Sequence, residues 1–150
     1  MTSFPKKLLG VDYGTKRIGL AISDENHVFA FPKEIIENDK KTLEKINVMI
    51  QKENIGEIVI GESTNFSGKQ NKLAEKIEIF ISKLKKQFDL PINRQKEFLT
   101  SVEARKMGQT KANLNTTSAH SKMKKKIQKK IDASAAALIL QRYLDKLNRH

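Results

Sequence analysis

The 150 residues include no cysteine, which excludes disulfides, thiolate metal sites and cysteine nucleophiles together. Histidine is scarce and scattered. His27, His120 and His150 do not stand at a metal-ligand spacing from one another, which argues against a zinc hydrolase of the paired-histidine kind. Aromatic residues make up 6% of the chain, too few for base stacking to dominate any contact with nucleic acid. No stretch reaches the roughly 18 apolar residues of a membrane span. The opening Met1-Thr2-Ser3-Phe4-Pro5-Lys6-Lys7 has no apolar signal-peptide core, so the expectation is a cytoplasmic protein with no membrane partner. No repeat or linker divides the chain. Its length fits one domain, residues 1–150, able to bury about two thirds of its unfolded surface.

Acids are also in short supply. Against 29 Lys and Arg stand 17 Asp and Glu, for a formal charge of +12. Clustered cations neutralise phosphate, so such an excess points to an anionic partner, nucleic acid before membrane.

The pattern of apolar residues supplies the architecture. Leu8-Leu9-Gly10-Val11 ends at Asp12, and Ile18-Gly19-Leu20-Ala21-Ile22 follows after Tyr13-Gly14-Thr15-Lys16-Arg17. Two apolar runs split by a short glycine-containing turn predict a β-hairpin. Residues 28–31 predict a short third strand stopped by Pro32. Residues 39–51 then change to helical spacing, with Leu43, Ile46 and Ile50 on one face. Residues 57–61 form a β-branched run ending in glycine and predict a buried strand. Leu73, Ile77, Phe80, Leu84 and Phe88 mark a long amphipathic helix over 69–88, and residues 91–98 predict a further strand. A capping box of Thr100 and Glu103 opens a short helix ended by Gly108. Residues 109–121 lack any period and predict a loop, six lysines follow within 122–130, and a last helix runs from near Asp132 to Leu147. Three strands, then strand–helix alternation, imply an α/β protein with one mixed five-stranded sheet flanked by helices.

Asp12 directly follows a run apolar enough to be a central strand, where an unpartnered carboxylate costs several kcal/mol. It reads either as a functional acid or as a turn aspartate bracing the hairpin backbone. Glu97 ends the last expected strand, and Asp132 stands where an N-cap belongs, so each also has an ordinary explanation. The three become a site only if folding gathers them. Parallel strands share a carboxyl end, where open α/β sheets build their sites, and a terminal helix across the sheet can bring Asp132 there. Three carboxylates without histidine or cysteine suit a hard ion such as Mg²⁺ or Mn²⁺, and two such ions can drive phosphodiester hydrolysis.

Leu9-Gly10-Val11-Asp12-Tyr13-Gly14-Thr15-Lys16-Arg17-Ile18-Gly19-Leu20-Ala21-Ile22-Ser23-Asp24 resembles the N-terminal signature of the YqgF/RuvX family, described as Holliday junction resolvases and as pre-16S ribosomal RNA nucleases. Glu97-Phe98-Leu99-Thr100-Ser101-Val102-Glu103-Ala104 resembles the family's second block, and the stretch from Ile131-Asp132-Ala133 to Gln141 its third. The resemblance implies a ribonuclease H-like fold and a metal-dependent nuclease with Asp12, Glu97 and Asp132 as catalytic and metal-binding acids. It also implies that Lys16 and Arg17 lie beside the active site as phosphate contacts, with hairpin support as the alternative, and that Gly14 permits the tight turn. Lys122, Lys124, Lys125 and Lys126, just ahead of Asp132, would carry positive charge to the same backbone, although lysine runs are often only solvated. The expected substrate is precursor 16S ribosomal RNA, with branched DNA as the alternative. The expected oligomeric state is monomer or homodimer.

The chain departs from that pattern in places. Gly61-Glu62-Ser63 stands where the family has Gly-Leu-Pro, and Lys96 and Phe98 replace the usual Asp and Arg of the second block. Glu62 reads as a solvated loop acid rather than a fourth ligand. Two other classes remain open. Actin-like ATPases also open with a strand ending in Asp-x-Gly-Thr, but they need two domains to enclose a nucleotide. A non-catalytic nucleic-acid-binding ribosome-assembly factor would keep the charge without the chemistry.

Overall fold

The computed structural model describes residues 5–63, 70–97 and 135–149. Its strands are β1 (Lys7–Asp12), β2 (Arg17–Ser23), β3 (Ala30–Glu37), β4 (Ile55–Ser63) and β5 (Ile92–Glu97). The helices are α1 (Thr42–Lys52), α2 (Gln70–Gln87) and α3, over residues 135–147. The strands form one mixed sheet in the order β3-β2-β1-β4-β5. The β1–β2 and β2–β3 pairs are antiparallel, whereas β1–β4 and β4–β5 are parallel, as strand–helix–strand crossovers require. The expected helix over 100–108, the loop over 109–121 and the lysines of 122–130 lie outside the described residues.

Alternation along the central strands sends side chains to two separate cores. Leu9, Val11, Ile18, Leu20, Ile58 and Ile60 pack with Ile46 and Met49 of α1 and with Ile77, Phe80, Ile81 and Leu84 of α2. On the opposite face, Leu8, Ala21 and Val59 pack against Ala136, Ile139, Leu140 and Leu144 of α3. The sheet is thus sandwiched between helices. No helix among the described residues is long and apolar enough to cross a membrane.

Several boundaries differ from the sequence expectation, β4 among them, which spans Ile55–Ser63 rather than 57–61. The third strand does not stop at Pro32 but runs through it to Glu37, with Pro32 opposite Ala21 beside a register shift. Because β3 is an edge strand, a residue without an N–H is tolerated there. The first helix begins at Thr42 rather than near Asp39, since local side chains take the backbone groups first. Asp39 Oδ1 accepts from the Lys41 N–H (2.8 Å), and Thr42 Oγ1 accepts from the Asp39 N–H (2.9 Å) while donating to the Glu37 carbonyl (2.9 Å).

Gly10 seats α3 against the sheet. A Cβ at Gly10 would lie 2.8 Å from Leu140 Cβ and 3.0 Å from the Ala136 carbonyl oxygen. Gly10→Ala is expected to overpack this contact and cost about 1–3 kcal/mol, measured as a lowered denaturant midpoint. At the other end of β1, Glu53 is paired with Lys33 (3.0 Å) and Lys7 (3.4 Å), its side chain 13% exposed. The hydrogen bond from Lys33, then that from Lys7, holds its carboxyl below the ordinary range despite burial. A depressed folded pKa makes the contribution full above the unfolded value and removes it as pH falls through the folded one. Glu53→Gln is therefore expected to lower stability by about 1 kcal/mol at neutral pH. The difference from the parent should shrink in melts as the pH is lowered beneath the ordinary carboxyl range toward the depressed folded pKa.

Candidate active site

Asp12 is half-buried at the last position of β1, opposite Gly19 of β2. It has the sheet parity of Leu8 and Gly10, the residues that meet α3, so it belongs to the α3 face. On the other side Val11 pairs with Ile60, which brings Gly61 level with Asp12. Neither strand neighbour therefore sets a side chain beside the carboxylate on that face.

Glu97 ends β5, its backbone paired with Ser63 at the end of β4. Because β1, β4 and β5 are parallel, Asp12 and Glu97 stand at the same end of the sheet, two strands apart. Strand spacing and rise put their Cα atoms about 12 Å from one another. Gln95 pairs with Gly61 and Asn93 with Val59, so β5 brings two polar residues to the parity of the α3 face. Gln95 is 4% exposed, a buried amide that the sequence expectation overlooked. The signal was present in the alternation of Ile92-Asn93-Arg94-Gln95, which offers that face no apolar residue. Glu62, expected in a loop, has its backbone in β4, paired with Lys96.

The orientation of α3 follows from its contacts. Ala136 and Leu140 lie over Gly10, whereas Tyr143 and Leu147 line a cleft with Leu8 and Lys7. The helix therefore runs antiparallel to β1, with its residue-135 end toward Asp12. Asp132, Lys122, Lys124, Lys125 and Lys126 lie outside the described residues. Among the described residues no group of three or more His, Asp or Glu gathers to hold a metal ion.

The turn after Asp12 is firmly tied. Asn38 donates its main-chain N–H to the Lys16 carbonyl (2.9 Å) and its side-chain amide to the Gly14 carbonyl (2.8 Å). Tyr13 packs on Phe80 with ring centroids 5.0 Å apart. Gly14 is required by close approach, since a Cβ there would collide with the Arg17 carbonyl oxygen. Lys16 is exposed; Arg17, half-buried, opens β2 opposite Glu37 of β3.

The opposite end of the sheet has a different character. A cleft of about 300 Å³ there is lined by Lys6, Lys7, His27, Glu57 and Tyr143, among others. Burial, then the charge of and hydrogen bond with Glu57, push the Tyr143 phenol above its ordinary value. In the β2–β3 loop, the Phe29 N–H, followed by that of Val28, holds Asp24 below the ordinary carboxylate range.

Solved structures share this architecture. RuvC of T. thermophilus, in complex with a Holliday junction substrate, superposes with a TM-score of 0.51 at 14% identity, covering 95% of this chain and 96% of its own. The fowlpox virus resolvase, in complex with Holliday junction DNA, gives 0.50 at 15% identity, covering 95% and 99%. At such identities the likeness concerns the fold, which is ribonuclease H-like. Sequence relatives reach further. A protein of Sulfurihydrogenibium sp. is 37% identical over 145 residues, 95% of this chain and 92% of its own. One of Thermoanaerobacter pseudethanolicus is 36% identical over 141 residues, 93% and 96%. Both are provisionally named pre-16S rRNA nucleases. The family model RuvX, described as Holliday junction resolvase, matches residues 6–146. The protein is a nuclease of ribonuclease H-like fold, an enzyme that hydrolyses phosphodiester bonds. It belongs to the RuvX family.

Proposed function

We propose that this chain is a metal-dependent nuclease that matures the 5′ end of precursor 16S ribosomal RNA in the cytoplasm. It would act as one domain over residues 1–150, as a monomer or homodimer, with Asp12, Glu97 and Asp132 as its catalytic acids. The observation that carries the chemistry is the shared end of the parallel strands, with Asp12 closing β1 and Glu97 closing β5. The direction of α3 supports the third acid, because its residue-135 end lies toward Asp12 and Asp132 precedes that end by three positions in the sequence. The names of the relatives, which match nearly end to end, support the substrate.

The donor set fits Mg²⁺ or Mn²⁺, because Asp12, Glu97 and Asp132 offer only hard carboxylate oxygens. A pair of such ions would supply charge neutralisation at the scissile phosphate. The chain's own residues do the rest. Asp12, Glu97 and Asp132 would hold the ions, and Lys16 and Arg17 would contact the phosphates beside them. Lys122, Lys124, Lys125 and Lys126 draw the polyanion in from the segment ahead of Asp132.

Cleavage of a precursor rRNA fragment and of a synthetic four-way DNA junction, with Mg²⁺ and with Mn²⁺, tests the reading. Preferential cutting of the RNA is the expected outcome. Preferential cutting of the junction would support the second reading, DNA resolution, which the family description favours. Asp12→Asn keeps shape and a hydrogen-bonding oxygen but loses the charge that holds a cation. It is expected to fold normally, bind nucleic acid in EDTA as the parent does, and lose orders of magnitude in cleavage rate. Near-parental cleavage by a folded Asp12→Asn protein would sink the three-acid site. Binding dominated by lysine–phosphate contacts predicts that log K falls linearly with log salt, and that Gln at the lysines of 122–130 flattens the slope. Salt-independent affinity would contradict it.

A further inference from the structure

We propose that Asn38 is a positioning residue for nucleic-acid binding, holding the turn beside Asp12 in the one conformation that presents Lys16 to a phosphate. The proposal rests on the reading of Lys16 as a phosphate contact. Three observations carry it.

The first is the shape of the turn. The β1–β2 ladder pairs Asp12 with Gly19, so residues 13–16 leave the hairpin without a cross-strand partner in it. A loop of that kind, ending in a long flexible lysine, samples many arrangements unless its carbonyls are engaged. Asn38 engages two of them, Gly14 through its side-chain amide (2.8 Å) and Lys16 through its main-chain N–H (2.9 Å). Anchors on alternate carbonyls define the path of Thr15 between them.

The second is that Asn38 is itself held on both sides. Glu37 pairs with Arg17 in the sheet, and its carbonyl accepts from Thr42 Oγ1 (2.9 Å). The next residue, Asp39, donates its N–H to the same hydroxyl (2.9 Å). Thr42 is 3% exposed, so this clamp is part of the core. Asn38 therefore meets the turn from a rigid base.

The third is chemical. The Gly14 carbonyl can only accept, so the group facing it must be a donor. Asparagine supplies one from a short side chain; aspartate in the same shape would set oxygen against oxygen and add a negative charge beside a polyanion's path. Asn38 touches no reacting atom in this scheme. It acts through the turn, and hence through Lys16.

The test is a double-mutant cycle on affinity, read in EDTA so that it does not depend on cleavage. The probes are the precursor rRNA fragment and the four-way DNA junction. Lys16→Gln alone is expected to weaken binding by about 5-fold, the scale of one phosphate contact. Asn38→Ala is expected to weaken it by a similar factor, and Lys16→Gln added to Asn38→Ala should cost less than 2-fold more. Asn38→Asp should be weaker than Asn38→Ala at equal folded fraction. Where the parent cleaves, Asn38→Ala should raise KM and leave kcat nearly unchanged, unlike Asp12→Asn. Strict additivity, an unchanged affinity for folded Asn38→Ala, or no effect of Lys16→Gln in the parent would each overturn the proposal. Should Asn38→Ala unfold at assay temperature, Asn38→Ser, which retains a shorter donor, carries the same cycle. A parent that binds but cuts neither probe would refute the nuclease site while leaving this cycle readable.

Discussion

The parallel pairing of β1 with β4, covered by helices on both faces, is the constraint on which the rest of the molecule depends. Leu9, Val11, Ile58 and Ile60 fill one side and Leu8 and Val59 the other, all within 3% of complete burial. A strand enclosed this way has no place along its length for an unpartnered charge, because desolvating a carboxylate costs several kcal/mol. Charge is therefore driven to the ends of the strands. Since β4 parallels both β1 and β5, the ends at Asp12 and Glu97 are one end of the sheet.

The two ends of that sheet serve different purposes. At the amino end of β1 polar groups are spent on one another. Lys7 and Lys33 share Glu53, the His27 ring N–H donates to the Lys6 carbonyl (2.6 Å), and the Asn148 amide donates to the His27 carbonyl (2.8 Å). Gln141 reaches from α3 to the backbone of Val28 and Ala30 on the same side. These bonds knit α1, α3 and the β2–β3 loop to the sheet. At the carboxyl end, among the described residues, Asn38 ties the turn through its side-chain amide and main-chain N–H, and the Lys16 that the turn carries is exposed.

Much of the fold was legible in the chain because the signals were local. The hairpin, the helical spacing of Leu43, Ile46 and Ile50, the β-branched run of β4 and the long apolar stripe of α2 each reside within one element, where period alone distinguishes helix from strand. The elements and their order follow, and the mixed sheet follows from the order. The resemblance of the residues around Asp12 to a family signature was equally local, a continuous run through one hairpin.

Other features depended on partners far away in the chain. Pro32 looks like the end of a strand until β3 is known to be an edge, where the missing N–H has no neighbour to disappoint. Gln95 looks exposed until Gly61 is its neighbour and the α3 side of the sheet is closed over. Asn38 looks like a loop residue until the turn carrying Gly14, twenty-four positions earlier, folds back onto it. The sequence by itself determined the strands and helices, the excess of positive charge and the acids available for chemistry, since each is a property of composition or short period. Tertiary structure alone decided that Gln95 is buried beside Gly61 and that Asn38 grips the turn after Asp12. Those facts depend on strand order and register, and both are set by burying two separate apolar faces at once.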